Sequence, residues 1–135
     1  MRKILLASHA YLAKGMKSAV EMVTGIQENL TAVCAYTEDA PDLKEYLSCA
    51  AKELKAGDEL VIVTDVLGGS VNNEASQFRS LPGVYVVVGM NLALVLSLMI
   101  STETDTEKLI HESICSAREQ IIYMGNESST EEEDF

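Results

Sequence analysis

Residues 59–73 read ELVIVTDVLGGSVNN, and their order decides the fold. Leu60–Val63 is apolar throughout, which fits a strand covered on both faces; a strand with one wet face would alternate polar and apolar residues. Asp65 closes the run, Gly68 and Gly69 make a turn, and Ser70 stands where a helix cap belongs. A buried strand passing through a glycine turn into a helix is the repeating unit of a parallel sheet.

The flanking segments repeat this grammar. Lys3–Ser8 (KILLAS) and Val84–Gly89 (VYVVVG) are further apolar runs, and Thr31–Thr37 (TAVCAYT) is rich in β-formers. Leu12–Thr24 carries Leu12, Met16, Ala19, Val20 and Val23 at helical spacing, with Gly25 as a stop. Leu43, Tyr46, Leu47, Ala50, Ala51 and Leu54 recur as one face of a helix, which Gly57 is expected to close. Helices are also expected over 70–79, over 91–101 and from Asp105 onward. In the last of these Thr104 or Asp105 caps, Glu107 suits the positive end of the dipole, and Ile110, Ile114, Ala117 and Ile121 mark the buried face. Gln120–Met124 fits either an extension of that helix or a short edge strand. Alternating strands and helices predict a doubly wound three-layer α/β sandwich, with a mainly parallel sheet in the order 2-1-3-4.

Composition narrows the function. A chain of 135 residues, 47% apolar and 23% charged, suits one packed domain. A net charge of −11 argues against binding nucleic acid or an anionic membrane. Five of the carboxylates crowd into the last nine residues without a base, so 127–135 reads as a solvated acidic tail and 1–126 as the domain. Cys34, Cys49 and Cys115 show no metal-ligand spacing and suit reduced thiols of a cytoplasmic protein. Met1-Arg2-Lys3 is followed by too short an apolar run for a signal peptide. Val84–Ile100, 17 residues interrupted by Gly89, Asn91 and Ser97, falls short of a membrane span of about 20. No metal or cofactor is expected.

In doubly wound sheets, function gathers beyond the carboxyl ends of the strands, where the winding reverses. The expected first strand ends at Ser8-His9-Ala10-Tyr11, the third at Thr64-Asp65, and the fourth at Gly89-Met90-Asn91. In the order 2-1-3-4 the first and third strands are neighbours about 4.8 Å apart, which brings His9 within reach of Asp65. A carboxylate on one imidazole nitrogen fixes the tautomer and leaves the other nitrogen free to attack. Gly68-Gly69-Ser70 permits a loop whose amides, at a helix start, favour an anion; Ser70 either caps the helix or donates to a bound oxyanion. The loop lacks GxxxxGK[ST] and GxGxxG, so no nucleotide site is supported. A histidine nucleophile beside an anion loop suggests a phosphoryl group arriving from another protein. His111, next to Glu112, is expected to lie exposed on the last helix. Met90 near the rim is available to a partner.

The stretches SHAYLAKGMKSAVEMVTG, VTDVLGGSVNNEAS and GMNLALVLSL resemble, in order and spacing, the enzyme IIA component of the mannose/fructose/sorbose family of the bacterial phosphoenolpyruvate-dependent sugar phosphotransferase system. The resemblance runs to about residue 125. It implies that His9 accepts a phosphoryl group on Nε2 from the histidine-containing phosphocarrier protein and passes it to a histidine of enzyme IIB. It implies that Asp65 orients His9 at Nδ1, and that Gly68, Gly69 and Ser70 hold the phosphate. It also implies a homodimer that exchanges a C-terminal edge strand, antiparallel and formed by Gln120–Met124. Ala10, Val71 and Ala93 stand where the family usually has glycine, proline and proline. A regulatory module of the same fold and a subunit feeding dihydroxyacetone kinase are the alternatives; the full GGSVNN run favours sugar transport.

Overall fold

The computed structural model describes residues 1–126 apart from Pro41. The expected alternation is present: β1 (Arg2–His9), α1 (Leu12–Thr24), β2 (Leu30–Ala35), α2 (Leu43–Lys52), β3 (Glu59–Thr64), α3 (Ser70–Ser76), β4 (Val84–Val88), α4 (Leu92–Ile100) and α5 (Thr106–Glu119). The four strands lie in the order β2-β1-β3-β4, every neighbour parallel. This is the predicted doubly wound α/β sandwich.

Both faces of the sheet are covered, which explains its uninterrupted apolar strands. Ile4, Leu6, Val61 and Val63 pack with α1, α4 and α5 through Val20, Leu94, Val95 and Leu109. Leu5, Ala7, Leu60 and Ile62 pack on the other face with Leu43 and Leu47 of α2 and Val71 and Ala75 of α3. Since α1 and α3 leave neighbouring strands toward opposite faces, the switch point lies between β1 and β3. Ile62 is wholly enclosed. Truncating such a side chain to alanine costs about 2–5 kcal/mol through lost burial and the cavity left behind.

Several boundaries and faces differ from expectation. The helix after the glycine turn stops at Ser76, and 77–80 continue as turns. Helix α2 ends at Lys52, so Gly57 shapes the later turn into β3 instead of closing the helix. In α1 only Ala13 and Val20 are fully buried, while Leu12 and Val23 face solvent. Asp105 caps α5, its carboxylate accepting from the Lys108 amide. That helix buries Thr106, Leu109, Ser113 and Ala117, with Ile110 and Ile114 on the flank and Ile121 exposed. Met90 turns inward and joins the core.

The antiparallel edge strand is not found. Residues 121–125 have no regular structure, and Ile121, Ile122, Tyr123 and Met124 are all exposed. A strand needs a ladder partner for its amides, and none of the four strands supplies one to this segment. The expected acidic tail, 127–135, lies outside the described residues. No described helix is long and apolar enough to cross a membrane.

Candidate functional site

The site begins with strand register. Ala7 pairs with Thr64 and His9 with Ala35, so β1 runs two residues past the end of β3 and carries His9 level with the turn that Asp65 begins. Ser8, wholly buried, holds the chain there: its Oγ accepts from the Ala13 amide (2.7 Å) at the start of α1. Ala10 then takes φ +49°, a left-handed conformation that costs an L-residue about 1–2 kcal/mol. Its amide donates to the Ala35 carbonyl at 3.0 Å.

Asp65 gathers three donors. Its Oδ2 accepts from the His9 amide at 2.8 Å and lies 2.7 Å from His9 Nδ1. Its Oδ1 accepts from the Val66 amide at 2.9 Å. The aspartate side chain is 5% exposed and that of His9 44%. Burial opposes the charge on Asp65, but the His9 amide, the His9 ring and the Val66 amide outweigh it, and the pKa lies below the usual carboxylate value. An ionised carboxylate can only accept, so Nδ1 carries the ring proton and Nε2 presents its lone pair. Among the described residues no lysine or arginine pairs with Asp65.

Nε2 points toward the glycine loop. Ser70 Oγ lies 3.2 Å from it, and the Tyr36 hydroxyl lies 2.5 Å from Ser70 Oγ. The rings of His9 and Tyr36 stand 5.5 Å apart, tilted by 46°. Gly68 adopts φ +77°, which explains a glycine there. At Gly69 a Cβ would come within 3.2 Å of the Val66 carbonyl oxygen and 3.4 Å of His9 Cε1, so absence of a side chain keeps the imidazole in place. The two glycine amides are spent inside the turn: Gly68 donates to Asn72 Oδ1 (3.3 Å) and Gly69 to the Val66 carbonyl (3.0 Å). These glycines therefore give the loop its shape. The amides of Ser70 and Val71 have no acceptor among the described residues.

The expected residues His9, Asp65, Gly68, Gly69 and Ser70 all meet at one rim. His111 does not join them; it lies exposed on α5, 3.9 Å from Glu107.

The family model described as "PTS system fructose IIA component" (EIIA-man) matches residues 3–115. The chain belongs to this family. A structure from Klebsiella pneumoniae subsp. pneumoniae MGH 78578, described as a candidate phosphoenolpyruvate-dependent sugar phosphotransferase system permease, is 40% identical over 90% of each chain, with a TM-score of 0.84. The phosphotransferase system component EIIA of Streptococcus agalactiae is 25% identical over 91% of this chain and 97% of its own, with a TM-score of 0.79. The mannose/sorbose specific IIA subunit of Enterococcus faecalis, 22% identical over 96% and 98% of the two chains, shares the fold at a TM-score of 0.77. As an EIIA component the protein is a phosphotransferase of a sugar phosphotransferase system.

One part of this EIIA site escapes the sequence reading: Tyr36, whose β-rich surroundings give no hint that it reaches Ser70 from just beyond β2. Asn72 and Asn73 stand at the start of α3, where asparagine is common, and both brace the loop. Asn72 is the inner one. Almost buried, it donates to Thr64 Oγ1 (2.9 Å) and accepts from the Gly68 amide, lacing the loop to the end of β3. Asn73 donates to the Gly68 carbonyl at 3.1 Å. Repeated asparagine after a glycine turn is the signal that points to such bracing. Asn91 is a plain helix cap, accepting from the Leu94 amide.

Proposed function

We propose that this EIIA component carries a phosphoryl group on His9 Nε2, taking it from the histidine-containing phosphocarrier protein and giving it to enzyme IIB. One observation carries the reading: His9 Nδ1 is held 2.7 Å from a buried carboxylate while the half-exposed ring turns Nε2 to the rim. The Nε2 lone pair attacks the phosphorus of the donor phosphohistidine. The N–P bond of the donor breaks, and its electron pair returns to the donor imidazole. No proton has to move, because Nδ1 keeps its own. The ring becomes cationic on attack, and Asp65 stabilises that charge at short range.

Gly68, Gly69 and Ser70 form the loop that holds the phosphoryl group, with the Ser70 hydroxyl and the free amides of Ser70 and Val71 as donors. The group stays at the surface, where a second protein can collect it. Exposed apolar residues follow each half of the pair, Tyr11 and Leu12 after His9 and Val66 and Leu67 after Asp65, and these are the docking surface. Met16, by contrast, packs against the core. The exposed run Ile121–Met124 fits pairing with the free edge of β4 in a second copy, which makes the protein a homodimer.

With phosphoenolpyruvate, the first enzyme of the system and the phosphocarrier, the protein should gain one acid-labile phosphoryl group, read by mass spectrometry. His9→Ala should gain none. Full labelling of that variant rejects the proposal.

A further inference from the structure

We infer that Tyr36 is a positioning residue for this transfer, its phenol holding the Ser70 hydroxyl against Nε2 of His9. The inference rests on the proposed role of His9 and adds a residue to it. Proton counting gives the chain of bonds its direction. Asp65 only accepts, so Nδ1 donates to it and Nε2 is an acceptor. Ser70 Oγ, 3.2 Å away, must then donate to Nε2. With its one proton committed, Ser70 can only accept from Tyr36, so the order is Tyr36, Ser70, His9.

The backbone supports the same reading. Tyr36 sits at φ +63°, outside the ordinary range for a bulky residue, at the exit of β2. Its side chain is largely exposed, so burial does not account for the strained backbone. What the conformation achieves is the bond to Ser70 and a tilted approach to the His9 ring.

The arrangement also serves the reaction. When Nε2 bonds to phosphorus its lone pair is used and it stops accepting. The Ser70 proton is then free to turn to a phosphoryl oxygen, while the Tyr36 bond keeps Oγ from swinging away. Phenylalanine at position 36 would keep the ring against His9 and lose only this tether.

The test is rapid-quench transfer from the phosphorylated phosphocarrier to wild type, Tyr36→Phe, Ser70→Ala and the double variant. Loss of one neutral hydrogen bond at the transition state corresponds to about three- to tenfold in rate. Tyr36→Phe should lower kcat by that factor with KM for the carrier within about twofold. The double variant should be no slower than Ser70→Ala, because without the hydroxyl nothing remains to be held. In the free protein, the nitrogen NMR shift of His9 Nε2 should move in Tyr36→Phe toward that of an unbonded acceptor. An unchanged kcat, a change in KM alone, additive losses in the double variant or an unmoved Nε2 signal each overturn the role of Tyr36. None of these disturbs the carrier reading, which fails separately if wild type takes no label or His9→Ala takes it in full.

Discussion

At the scale of single residues, one carboxylate and one left-handed alanine set the local geometry around His9. Asp65 has a pKa below its unfolded value of about 3.9, so its contribution to stability is complete above that pH and disappears as pH falls through it toward the folded value. Asp58, held down chiefly by the N-terminal ammonium, acts in the same window. The melting temperature should therefore drop as pH falls below about 4. The drop should be smaller in Asp65→Asn; equal drops would mean the His9–Asp65 contact carries no stability. Ala10 makes the opposite prediction. Relieving φ +49° with glycine gains about 1–2 kcal/mol and loses roughly half of that to unfolded-chain entropy. Ala10→Gly should thus raise stability in urea by about 0.5–1 kcal/mol. His9 and Asp65 were legible as a pair because strand order alone brings their strand ends together. Tyr36 was not: the role proposed for it depends on a backbone angle and on a side chain reaching past the end of β1 to Ser70, neither of which leaves a pattern in the sequence.

At the scale of elements, the loop between β3 and α3 is the part that must keep its shape. Asn72 is its brace, paired to both Thr64 and Gly68 in a nearly buried position. Asn72→Ala strands the buried Thr64 hydroxyl and releases the exposed Gly68 amide, at about 1–3 kcal/mol for the one unsatisfied buried group. Urea denaturation should show that loss, and phosphorylation should slow as the glycine turn loosens. Stability within error of wild type would remove Asn72 from this role. The strands and long helices could be read ahead because burial on two faces leaves unbroken apolar runs. Helix ends and faces were harder. Apolar spacing predicted Val23 and Ile121 inside, whereas α1 packs through a narrower stripe and α5 stops at Glu119 before reaching Ile121. A one-dimensional pattern does not say how much of an apolar face its neighbours can cover.

At the scale of the whole molecule, two features point outward. The chain carries a net charge of −11, so encounters with any partner that presents a basic surface are steered by long-range attraction. Added salt should raise KM for the phosphocarrier more than it lowers kcat; a salt-independent KM would place recognition in apolar contacts alone. The segment Ile121–Met124 exposes four large apolar side chains, which the proposed pairing with a second copy would cover. Its strand character was open between two readings in the sequence, and a single chain supplies no ladder to decide them. Sedimentation should give a dimer for the full chain, and Ile122→Asp should shift it toward monomer; a monomeric wild type would remove the edge-pairing proposal.

The carrier role is tested most directly by isolating the phosphorylated protein and locating the modified nitrogen. Transfer from phosphorylated phosphocarrier should place one phosphoryl group on Nε2 of His9, and adding enzyme IIB should discharge it. Label on any other residue, or a phosphoryl group on His9 that enzyme IIB does not remove, would contradict it.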